Sequence, residues 1–119
     1  MTGQPPMSSE ARPEPWIRDH PPAHRYEIIV DGQLAGVAVY ERRPRRIVFI
    51  HTEVAPAFKG RGLADRLAAW ALDDVRSRGT EKVIARCPFI AGFIGRHPEY
   101  ADLLAGRPPA VPPPPVTRD

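Results

Sequence analysis

The sequence has one cysteine, Cys87, and two lysines, Lys59 and Lys82, among its 119 residues. A single thiol excludes an internal disulfide framework and argues against a zinc site built on cysteines. His20 and His24 have no spacing partner that suggests a ligand set, so no metal is expected. No apolar stretch approaches the roughly 20 residues that a membrane span needs, and the N-terminus lacks the basic-then-apolar layout of a secretory signal. The expected setting is therefore the cytoplasm, with no membrane partner. No internal repeat is visible.

Because lysine is scarce, arginine supplies nearly all of the positive charge. The net charge is +3, with a pI near 9.5. This mild excess attracts anionic ligands without requiring nucleic acid. The densest run, "ERRPRR" from Glu41 to Arg46, has no interleaved aromatic residue for base stacking and reads as a solvated loop. No nucleic-acid partner is expected.

Proline, by contrast, is abundant. Most of the 16 prolines lie in residues 1–23 and 106–119, which read as disordered tails because they lack backbone donors and are weakly hydrophobic. The expected domain is residues 24–105, about 80 residues, near the lower size for a core that folds unaided.

Within that body, "HRYEIIV", the turn dipeptide Asp31-Gly32 and "QLAGVAVYE" predict a β-hairpin, and "RIVFIHTEV" predicts a third strand. From Gly62 the period becomes helical. Leu63, Leu67, Trp70, Ala71 and Val75 share one face, with Trp70 expected in the core, and Gly79 is placed to end the helix. "EKVIARC" predicts a fourth strand. Pro88 then suits a helix start, "FIAGFIGRH" a short helix and "EYADLLA" a last turn. The order implies an α+β fold: a compact mixed sheet, made of an antiparallel N-terminal meander and a parallel βαβ crossover, with two or three helices. Trp16 reads either as folding back onto the domain or as a partner-binding element.

Three groups of residues carry chemistry. In "KGRGLA", Lys59 to Ala64, a strand-to-helix loop presents backbone N–H groups and the positive end of a helix dipole. It is neither a Walker loop nor a dinucleotide fingerprint, and local chemistry leaves a phosphate cradle and a plain turn both open. His51 and Glu53 alternate with Thr52 and Val54, so the first two share one face of their strand. They read either as a proton acceptor with its holder or as a solvent-facing polar pair. Cys87 precedes a helix start, with Arg86, Arg96 and His97 nearby in sequence, and reads either as a buried small hydrophobe or as an activated thiol.

Taken together, these blocks resemble the GNAT superfamily of acetyl-CoA-dependent N-acetyltransferases. The family pattern R/Q-x-x-G-x-G/A after a strand, preceded by Val-x-Pro, is matched by Val54, Pro56, Lys59, Gly62 and Ala64, with Lys59 in place of Arg or Gln. His51-Thr52-Glu53-Val54, Cys87-Pro88-Phe89 and Arg96-His97-Pro98-Glu99-Tyr100 resemble in turn the small single-domain YjdJ-type subgroup. The resemblance implies acetyl-CoA as co-substrate, held by Val54, Lys59, Gly60, Arg61, Gly62, Leu63 and Ala64; Arg96 and His97 read either as part of a capped turn or as further contacts to CoA. The resemblance also points to Cys87 as an active-site residue, and His51 and Glu53 are the candidate catalytic pair that the alternation of their strand offers beside it. The tyrosine that serves many larger members as general acid has no counterpart here, since that stretch holds Ile94 and Gly95. The two helices that wall the acceptor site in larger members are replaced by the Asp31-Gly32 turn, which suits an open site for a protein lysine or N-terminus. A non-catalytic CoA-binding module is the alternative, and oligomeric state is not readable.

Overall fold

The computed structural model describes residues 15–105. Five strands, β1 (Trp16–His20), β2 (Arg25–Val30), β3 (Gln33–Arg43), β4 (Arg46–Val54) and β5 (Lys82–Ala85), form one sheet in the order β1-β2-β3-β4-β5. The first four are antiparallel neighbours. β5 runs parallel to β4, after a crossover through α1 (Leu63–Arg78). α2 (Pro88–Arg96) and a 3-10 turn (Pro98–Leu103) follow. The chain then returns to the β5 edge, where the Ala105 N–H donates to the Val83 carbonyl at 2.8 Å. The expected mixed sheet and α+β class are thus observed.

The helices pack on one face of the sheet. Tyr26, Ile28 and Val30 of β2, Ala38 and Tyr40 of β3, and Ile47 and Phe49 of β4 share a single buried cluster with apolar residues of both helices. On α1 the buried stripe is Leu63, Leu67, Ala68, Ala71, Leu72 and Val75, recurring at helical spacing. Gly79 ends α1 in the left-handed conformation, at φ 68°, and its N–H reaches the Val75 carbonyl.

Two expectations are corrected. Trp16–His20, assigned to the N-terminal tail, form β1 and pair along their full length with β2. The prolines of this region bracket the strand without entering it. Pro21 and Pro22 start a short 3-10 turn that needs fewer backbone donors. Trp16 accordingly belongs to the sheet; residues 1–14 and 106–119 lie outside the described residues. Trp70, expected in the core, is 39% exposed. α1 seats Ala68 and Leu72 inward, and the indole lies at the edge of that buried stripe with its ring edge-on to Tyr26.

A bulge in β4 decides which of its side chains meet the helices. Val39 pairs with His51 but Tyr40 pairs with Phe49, so Ile50 is the extra residue. Before it, Ile47 and Phe49 face the helices; after it, Thr52 and Val54 do. His51 and Glu53 are thereby turned to the opposite face.

Candidate active site

The β4–β5 ladder ends at Phe49 and Ala85. There the N–H groups of both Arg86 and Cys87 converge on the Phe49 carbonyl, at 3.0 and 2.9 Å. β4 continues for five more residues with no strand on its β5 side among the described residues. This free edge leads through a 3-10 turn, Pro56–Phe58, into the glycine loop.

The loop owes its shape to glycine. Gly60 and Gly62 stand at φ 83° and 73°, in the left-handed region that costs other residues about 1–2 kcal/mol. Gly62 is the N-cap of α1 and brings no side-chain cap, so the first amide groups of the helix have no side-chain partner there. A Cβ at either glycine meets nothing within 4 Å. The conformation, not crowding, therefore demands glycine, and the space above the loop is open.

That space is a cleft of about 360 Å³, lined by Val54, Lys59, Gly60, Gly62, Leu63 and Ala64 together with Phe58, Asp65 and Phe89. Six of the expected cofactor positions thus converge on one cavity. Arg61 is turned aside, its guanidinium 5.2 Å from the Phe58 ring centre. Arg96 reaches the rim by pairing with Asp65 at 3.3 Å, which offsets the one carboxylate of the lining. His97 lies outside the lining, stacked on Phe93 at 4.2 Å and approaching Glu99 at 3.7 Å. Phe58, Asp65 and Phe89 were not anticipated. Their sequence signals are weak: an apolar residue before the loop, an acid in the first helical turn and an aromatic after Pro88.

The expected catalytic residues do not form one cluster. His51 Nε2 and Glu53 Oε1 are 3.2 Å apart and well exposed on the face without helices. Cys87 is the N-cap of α2 and only 2% exposed, with its Sγ 3.3 Å from the Thr52 hydroxyl on the helix side of β4. Of the cations expected beside the thiol, Arg96 is held by Asp65 and His97 by the Phe93 ring and Glu99. Among the described residues no group of three or more His, Cys, Asp or Glu could hold a metal ion, and no helix is long and apolar enough to cross a membrane.

A profile of the GCN5-related N-acetyl-transferase family matches residues 25–103. No curated protein matches the chain in sequence. In structure it is similar to a GCN5-like protein from Staphylococcus aureus solved in solution by NMR. That likeness has 20% identity and a TM-score of 0.60, covering 80% of this chain and 92% of the other. It is also similar to a ribosomal-protein-alanine N-acetyltransferase from Brucella melitensis biovar Abortus, at 19% identity and a TM-score of 0.50, covering 77% of this chain and 68% of the other. At these identities both likenesses speak for the fold alone. The family match spans all but the first strand of the sheet, and on it the chain belongs to the GCN5-related N-acetyltransferase family.

Proposed function

We propose that the protein transfers an acetyl group from acetyl-CoA to a primary amine on a protein N-terminus or lysine. One observation carries this reading: the free edge of β4 runs directly into the glycine-loop cleft, so an extended ligand arm and its phosphate end have adjoining places. Amide groups from Lys59 to Ala64 hold the CoA pyrophosphate, aided by the positive end of α1 and by Lys59. The pantetheine arm pairs with β4 near Val54, and Arg96 keeps Asp65 from repelling the phosphates. Such a reaction fits the cytoplasmic setting expected from the sequence.

The amine arrives on the face that carries His51 and Glu53. Glu53 holds the incoming ammonium and His51 takes its proton. The amine nitrogen then bonds to the thioester carbonyl carbon, the carbon–sulfur bond breaks, the nitrogen gives its second proton to water to leave the neutral amide, and the CoA thiolate takes a proton from solvent. A relay through Cys87 is the second reading. It is favoured by one observation, that Cys87 sits just beyond the last β4–β5 hydrogen bonds, and opposed by its burial.

Calorimetric titration with CoA tests the reading. Gly62→Glu and Lys59→Glu each place a carboxylate in the cradle, and each should weaken binding more than tenfold, as expected for a charge reversal beside a phosphate. Binding equal to that of the unmodified protein in both variants would overturn it. CoA release with a panel of peptides and small amines then separates an enzyme from a module that only binds CoA.

A further inference from the structure

The sheet face without helices carries two cross-strand rows fixed by hydrogen-bond register. Arg18, Glu27, Val37 and Glu53 stand opposite one another from β1 to β4, and beside them stand His20, Arg25, Val39 and His51. The β1–β2 end is cationic. Glu27, 2% exposed, receives Arg18 Nε at 2.8 Å and Arg25 Nε at 2.7 Å, with His20 Nδ1 at 3.1 Å. Two guanidinium groups against one carboxylate leave a net positive charge. Among the described residues, no hydrogen bond uses the terminal nitrogens of Arg25. At the β4 end stands the exposed His51–Glu53 pair, with the valines between.

Arg25 and Glu53 line one cleft of about 220 Å³, with Leu34, Gly36 and Val37 among the residues between them. The strands that bear them, β2 and β4, are two inter-strand spacings apart, roughly 10 Å, and Arg25, which stands one row away from Glu53, leans along β2 to Glu27 in the row of Glu53. The cleft therefore offers a cation at one end, a carboxylate at the other and an apolar floor.

We propose that this cleft binds the acceptor, and that the acceptor is a peptide carrying a carboxylate roughly 10 Å from its reactive amine, with the ammonium on Glu53 and the carboxylate on Arg25. In an extended peptide that distance is about three residues, which puts the acidic residue at the third or fourth position from a free N-terminus. The inference rests on the acetyltransferase reading for the role of the amine, whereas the charge match itself is measurable without turnover.

Fluorescent peptides of one sequence, with a free N-terminus and Glu, Gln or Lys at the fourth position, test it by anisotropy on the full chain. Acetylation of the same peptides is followed by mass spectrometry. The Glu peptide should bind at least tenfold more tightly than the Lys peptide, and Arg25→Gln should remove most of the difference. Arg18→Gln, on the edge strand, is the second variant and should reduce the difference by a smaller factor. Equal affinity for the three peptides, or no binding of any, overturns the proposal even where other amines are acetylated. Preference for the Glu peptide without acetylation upholds the charge match and overturns the assigned reaction instead.

Discussion

The Cys87 thiol and the Thr52 hydroxyl are 3.3 Å apart on the helix-covered face of β4, while the adjacent His51 and Glu53 face the other way. An acceptor that approaches His51 does not meet the thiol, and the two mechanisms open to this fold are separated by the thickness of one strand.

Cys87→Ala should therefore leave acetyl transfer unchanged within about a factor of three, since direct attack loses no reacting group. Protein mixed with acetyl-CoA alone should show no acetyl adduct on Cys87 by mass spectrometry. A trapped thioester together with loss of turnover in the variant would establish the relay.

Glu27 gives the fold a pH dependence. Burial alone would raise its carboxyl pKa, but hydrogen bonds from Arg25, His20 and Arg18 outweigh this and hold it at about 2, below the ordinary 4.5. Its folded-state pKa is thus depressed, so its stabilisation is full above about pH 4.5 and is lost as pH falls toward 2. Because its partners are partly solvated, the contribution is on the order of 2 kcal/mol. Denaturant melts of Glu27→Gln should show that deficit at neutral pH, shrinking across this window.

Removing β1 should cost more than removing an unstructured tail. Asp19 accepts from the Tyr40 hydroxyl at 2.6 Å and from Arg78 at 2.8 Å, and Arg18 and His20 serve Glu27. A chain beginning at residue 24 should be less stable than one beginning at residue 15 by several kcal/mol, about 1 for each buried hydrogen bond lost plus the strand's packing. Equal urea midpoints for the two would show β1 to be dispensable.

Trp70 and Leu67 lie less than one turn apart on α1 and should respond differently to truncation. Leu67 is fully buried, and Leu67→Ala should cost about 2–5 kcal/mol. Trp70 is 39% exposed at the edge of the helix face, so its truncation opens to solvent and leaves no enclosed cavity, and Trp70→Ala should cost less than Leu67→Ala, about 1–2 kcal/mol. Thermal melts of the two variants rank them.

Much of the fold is legible along the chain. Asp31-Gly32 marks the β2–β3 turn, the change to helical period after Gly62 marks α1, and Pro88 marks the start of α2. The glycine loop is legible too, because left-handed backbone at two positions is written as two glycines. β1 is less so. Its five residues are too few to show a clear period between flanking prolines, and their support comes from Glu27, Tyr40 and Arg78, distant in sequence.

The site divides in the same way. Alternation alone placed His51 and Glu53 on one face of their strand and Thr52 and Val54 on the other, because side-chain direction in a strand is a local property of period two. Which of those faces meets the helices depends on the single extra residue at Ile50, and a bulge exists only in the pairing of β4 with β3. The row that sets Arg25 across from His51, and the cleft that Arg25 shares with Glu53, arise likewise from register between strands. Local conformational preference thus determined the elements and the loop; long-range pairing decided which side chains share a face, and so which ones can act together.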